Sequence, residues 1–180
     1  MFTDENLYEH FWNGEKIAAD ELVHRHGDIL VLFLNSYVKD IHEAEDLMIE
    51  AFALMFVKRR PVSEDGSFRA YLYKTARRLA GKAIKKHRIH IGLEELPFEL
   101  PGEVLADTNL FENERKKQLY EAMEELKPEY QEALYLVYIE DMSYRDTAEV
   151  MGRSESQIKN LVHRGKKSLK ELLGKNGFEY

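Results

Sequence analysis

Apolar residues recur at three- and four-residue intervals through most of this chain of 180 residues, and strand-like alternation never persists beyond a few positions. The pattern predicts a short helix over Phe2 to Trp12. A longer one follows over Glu15 to Tyr37, with Ile17, Leu22, Val23, Ile29, Leu30, Phe33 and Leu34 near helical spacing. Asp40 to Lys58 repeats the pattern with Ile41, Ala44, Leu47, Met48, Ala51, Phe52 and Met55. Pro61 to Gly66 reads as a loop, and Ser67 as the N-cap of a third long helix ending near His87. Gly92, Pro97, Pro101 and Gly102 then interrupt regular structure. Helices resume near Leu110, and Pro128 opens a helix reaching Glu140. The prediction is an all-α protein of two small helical domains, residues 1–90 and 111–180. The linker between them, 91–110, is expected to have little structure of its own.

Charge sharpens this picture. The net charge is -7, but it is sorted into blocks. Phe68 to Arg88 carries eight Lys and Arg and no acid, and Arg153 to Lys175 carries seven against Glu155 and Glu171. Glu94 to Glu114 has seven acids and no base. Two basic faces that attract phosphate are therefore separated by an acidic linker. There are no cysteines, which excludes disulfides, thiolate zinc sites and cysteine nucleophiles and suits a reducing cytoplasm. The acidic start lacks the apolar core of a signal peptide, and no apolar run is long enough to span a membrane, so no membrane insertion is expected.

The C-terminal stretch carries the most specific pattern. Ser143 opens a short helix through Met151, with Asp146 three residues on. Gly152 supplies a tight turn, and Ser154 with Gln157 has the spacing of a capping box. In the helix from Ser154 to Leu173, Ile158, Leu161, Val162, Leu169, Leu172 and Leu173 form one apolar stripe. Lys159, Asn160, His163, Arg164, Lys166 and Lys167 occupy the opposite face. A helix-turn-helix needs this division between an anchored face and a face of hydrogen-bond donors. Gly165 stands out, because mid-helix glycine costs roughly 1 kcal/mol relative to alanine.

These segments resemble a known family. Glu125 to Leu134, Ser143 to Ser154 and Ile158 to Leu169 resemble region 4 of extracytoplasmic-function (ECF) sigma factors of the sigma-70 family. Glu43 to Phe52 resembles region 2.1–2.2, and Phe68 to Leu79 resembles region 2.3–2.4. The match runs from about Glu15 to Leu173 in the family's order. The resemblance implies a three- to four-helix region 2 bundle and a region 4 helix-turn-helix. It also implies a subunit of bacterial RNA polymerase that directs the core enzyme to promoters, without enzymatic activity or cofactor of its own. Its partners would be promoter DNA, the clamp helices of the largest polymerase subunit, the β-flap and an anti-sigma factor.

Site residues follow from that correspondence and from side-chain chemistry. Glu45, Asp46 and Glu50, beside Leu47 and Phe52, are expected to meet arginines on the polymerase. The −10 element is assigned to Phe68, Arg69, Tyr71, Lys74, Arg77, Arg78, Lys82 and Lys85, with Leu72 and Tyr73 assigned to packing. The loop from Arg60 to Ser67 would hold a flipped −10 base. In the −35 grip, Lys159, Asn160, His163 and Arg164 face bases, while Arg153, Ser154, Lys166 and Lys167 touch phosphate.

Some positions depart from the family. Arg78 stands where many relatives carry asparagine, Lys82 where aspartate is frequent, Tyr71 for tryptophan, Ile49 for glutamine and Gly165 for alanine. Arginine at 78 adds charge and length, favouring phosphate or guanine contact over a small pocket. The alternative reading is a sigma-like or simpler helix-turn-helix regulator that does not support initiation. A di-iron enzyme is a third possibility, from the Glu-x-x-His spacing of Glu21 and His24. It lacks the second such motif that the site requires, and no metal is expected.

Overall fold

The computed structural model describes residues 2–58, 67–87, 96–100, 118–119 and 121–175. All regular structure among them is helical. Thr3 caps α1 (Asp4–Trp12), its hydroxyl accepting from the Asn6 amide at 3.2 Å. Helix α2 (Ile17–Val38) ends at Lys39, which adopts the left-handed conformation with φ 59°. Asp40 then caps α3 (Ile41–Val57) by accepting from the amides of His42 and Glu43. Helix α4 (Phe68–His87) begins as expected at Ser67, whose hydroxyl accepts from the Ala70 amide at 3.3 Å.

These four helices form one bundle, α2 packing against the other three. Leu22, Leu30, Phe33, Leu34, Met55 and Leu72 are fully buried at its centre. Leu72 and Tyr73 pack as expected. The apolar face of α2 is narrower than its sequence suggests: Ile17 is 81% exposed, and Val23 and Ile29 are also exposed.

Helix α1 is fastened by polar contacts that helical periodicity does not encode. The Tyr8 hydroxyl donates to the Met55 carbonyl at 2.8 Å. Asp4 meets His26 Nε2 at 2.7 Å and Arg25 Nη1 at 3.3 Å. The Glu5 carboxylate accepts from the Phe68 amide at 3.1 Å, so α1 supplies a cap for α4. Hydrogen bonding to His26, opposed by burial and aided by Arg25, lowers the Asp4 pKa from its ordinary 3.8. Arg25 and His26 therefore clasp α1.

The chain divides into two compact units, Met1–Ile91 with Glu149–Gly152, and Gly92–Ala148 with Arg153–Tyr180. Of the expected linker, only 96–100 falls within the described residues. Phe98 and Leu100 in that extended piece are buried, and the Phe98 ring lies 5.6 Å from Tyr135. This piece belongs to the core of the second unit, which its breaker residues and acids concealed. Helix α5 (Pro128–Leu134) starts at the expected proline and continues as one π-helical turn, Tyr135–Ile139. Gln131 ties the preceding turn to α5 by donating to the carbonyls of Glu124 and Leu126. Helices α6 (Tyr144–Met151) and α7 (Glu155–Lys175) complete the fold. Among the described residues, no helix is long and apolar enough to cross a membrane.

Candidate nucleic-acid interface

The α6–turn–α7 unit is built by its caps. Ser143 Oγ accepts from the Asp146 amide at 3.0 Å and donates to Asp146 Oδ2 at 2.8 Å. Gly152 turns the chain with φ 65°, a conformation that favours glycine. Ser154 and Gln157 then cap reciprocally: Ser154 N donates to Gln157 Oε1 at 2.8 Å, and Gln157 N donates to Ser154 Oγ at 3.2 Å. That box fixes where α7 starts, and so which residues its first turns present.

Ile158, Leu161, Val162 and Leu173 are buried, while Leu169 and Leu172 are half-buried. This anchors α7 along the stripe read from the sequence. Gly165 lies on the same side, where an added Cβ would stand 3.2 Å from Leu134 Cδ1 and 3.3 Å from Tyr130 Cβ. The glycine lets α5 and α7 approach closely. Arg153, Ser154, Lys159, Asn160, His163, Arg164, Lys166 and Lys167 are all exposed. Besides Ser154 in its capping box, Arg153 and Lys166 also have partners within the unit. Arg153 Nη2 is 3.3 Å from Glu129 Oε2. Lys166 Nζ donates to the Tyr138 hydroxyl at 3.0 Å and lies 5.1 Å from that ring's centre. The bond to Tyr138 raises the Lys166 pKa above its usual value. Nothing in the sequence spacing pairs Tyr138 with Lys166, 28 residues away.

In the first unit, α4 presents Lys74, Arg78, Lys82 and Lys85 to solvent, with Arg69, Tyr71 and Arg77 half-buried. Phe68 corrects the expectation. It is fully buried, 5.3 Å from the Tyr8 ring and 6.0 Å from the His26 ring, so it packs in the bundle and has no face for a base. Residues 60–66 of the expected base-holding loop lie outside the described residues. On α3, Glu45, Asp46 and Glu50 are exposed. Leu47 and Phe52 are not: at 9% and 3% exposure they are the side chains that seat α3 in the bundle. The exposed large apolar residues of α3 are instead Ile41, Ile49 and Val57, at 43%, 62% and 74%. Glu21, from the Glu-x-x-His spacing, is paired with Arg25 Nε at 2.7 Å.

Comparison with known proteins follows this division. Residues 22–89 match the family "Sigma-70 region 2", and residues 116–169 match "Sigma-70, region 4". The chain belongs to the sigma-70 family. It is 27% identical over 165 residues to the ECF RNA polymerase sigma factor SigM of Bacillus subtilis, covering 87% of this chain and 95% of SigM. It is 28% identical over 166 residues to the ECF RNA polymerase sigma factor SigE of Mycolicibacterium smegmatis, covering 89% of this chain but 63% of that longer protein. The fold is also that of the sigma factor RpoE in its co-crystal with the anti-sigma factor NepR from Bartonella quintana. The TM-score is 0.57 at 20% identity, covering 86% of this chain and 96% of that one. This chain is thus a sigma factor of ECF type. Region 2 takes in α2 from Leu22 onward, together with α3 and α4. Region 4 takes in α5, α6 and α7 as far as Leu169.

Proposed function

We propose that this sigma factor directs promoter-specific initiation through three exposed surfaces. The cations of α4, Arg69, Lys74, Arg77, Arg78, Lys82 and Lys85, together with Tyr71, bind and open the −10 element. The outer face of α7 reads the −35 element, with Lys159, Asn160, His163 and Arg164 toward bases and Arg153, Ser154, Lys166 and Lys167 toward phosphates. Glu45, Asp46 and Glu50 on α3 dock on the clamp helices of the largest polymerase subunit, and region 4 lies against the β-flap. The role needs no cofactor and no chemistry at an active site, and it is carried out in the cytoplasm. An anti-sigma factor is the expected regulator, as RpoE of Bartonella quintana has in NepR.

The observation that carries this reading is α7 itself: a capped, 21-residue helix with one buried stripe and an exposed face of donors, in a chain that also holds region 2. Arg164→Ala tests it. Transcription by the reconstituted holoenzyme should fall by about 10–100-fold on promoters with the preferred −35 sequence, in line with the roughly 1–3 kcal/mol carried by a base-reading side chain. It should change little where the −35 element is already mismatched. An equal loss on all promoters refutes the base-reading role. One observation favours a second reading. Arg78 and Lys82 are exposed on α4, at positions where the family resemblance leads one to expect asparagine and aspartate. A chain that binds polymerase but does not open DNA is distinguished by permanganate footprinting of the −10 region.

A further inference from the structure

Helix α7 is longer than reading a groove requires. Its 21 residues extend about 31 Å, against a major groove about 12 Å wide. The first turns suffice for the bases, and the C-terminal half carries four more lysines: Lys166, Lys167, Lys170 and Lys175. Lys159, His163, Lys166 and Lys170 recur at alternating intervals of four and three, so they lie along one side of the helix. With Tyr138 and Tyr144 they border a trough of about 700 Å³ that Val162, Leu169 and Leu173 also line and that no carboxylate of the described residues enters.

Tyr138 and Lys166 are organised there before any ligand arrives. The phenol oxygen accepts from the ammonium at 3.0 Å, which leaves the phenol proton to be donated outward. The ammonium keeps two further N–H donors, and its bond to the phenol oxygen restricts a side chain that is otherwise free to rotate. An O–H and an N⁺–H held side by side suit two oxygens of one phosphate. Lys166 and Lys170, one turn apart and about 6 Å along the helix, suit successive phosphates of one backbone rather than a single anion.

We propose that this trough seats the DNA sugar–phosphate backbone beside the −35 element, with Tyr138 positioning Lys166 and donating to a phosphate, and Lys170 making a further phosphate contact. The inference rests on the reading of α7 as the −35 helix. Neither Tyr138 nor Lys170 was marked by the sequence, because an exposed tyrosine and one more lysine are common on any helix surface.

The test is equilibrium binding of holoenzyme to promoter fragments across a salt series, with Tyr138→Phe, Lys166→Gln, Lys170→Gln and Arg164→Ala. Each lysine substitution should flatten the slope of log affinity against log salt by about one, weakening all −35 sequences by the same factor. Tyr138→Phe keeps the ring and loses the hydroxyl. It should weaken binding about three- to tenfold, and add little in a Lys166→Gln background. Wild-type affinity and slope for Tyr138→Phe and Lys170→Gln, while Arg164→Ala still loses −35 discrimination, would overturn the trough and leave the −35 reading intact. Unchanged discrimination in Arg164→Ala means the underlying reading has failed instead. Losses confined to one −35 sequence also overturn the proposal, since they would report base contact.

Discussion

Gly165 sits mid-helix in α7, where alanine would be favoured by roughly 1 kcal/mol on propensity alone. A Cβ there meets Leu134 at 3.2 Å, so the neighbour must give by a few tenths of an ångström. Propensity and crowding nearly cancel for the smallest side chain and not for a larger one. Gly165→Ala should stay within about 1 kcal/mol of wild type in urea denaturation, and Gly165→Leu should lose about 2–3 kcal/mol. Asp4 gives a pH-dependent case. Its folded-state pKa is lowered by His26 and Arg25, so its stabilisation is present above pH 3.8 and is lost as pH falls through the depressed value. Asp4→Asn should cost about 1–2 kcal/mol at neutral pH, with the difference from wild type shrinking in acid. At this scale the sequence was partly legible. The outward residues of α7 were read correctly as exposed, because cations and amides rarely bury. Phe68, Leu47 and Phe52 were misplaced, because motif position says which segment matters and an apolar side chain within it can face either way.

At the scale of elements, caps and breakers were the dependable signals. Ser67, Pro128, Gly152 and the Ser154–Gln157 box all stand where the chain pattern placed them, since each satisfies a local backbone demand. The π-helical turn at Tyr135–Ile139 and the buried 96–100 piece were not legible. Both depend on packing within the second unit, which local pattern does not report. Ser154→Ala should cost about 1 kcal/mol and speed hydrogen exchange in the first turn of α7. Helix α3 separates two roles that its sequence runs together. Leu47→Ala should destabilise region 2 by about 2–4 kcal/mol in thermal or denaturant unfolding. Asp46→Arg, on the exposed face, should leave folding unchanged and weaken assembly with core polymerase about tenfold or more, an effect that high salt reduces.

For the whole molecule, the arrangement of charge decides more than its total. A chain with a net charge of -7 is repelled by DNA at long range, and the basic faces of α4 and α7 offset this. The two grips belong to separate compact units, so each alone contributes a small phosphate footprint. The isolated chain should therefore bind promoter duplex weakly and with little preference over random duplex, while the holoenzyme discriminates. The most direct measurement is run-off transcription with core polymerase on a randomised promoter library. The account predicts discrete start sites that share −35 and −10 sequences and disappear when the sigma factor is omitted. Transcripts no different from those of core polymerase alone would contradict it.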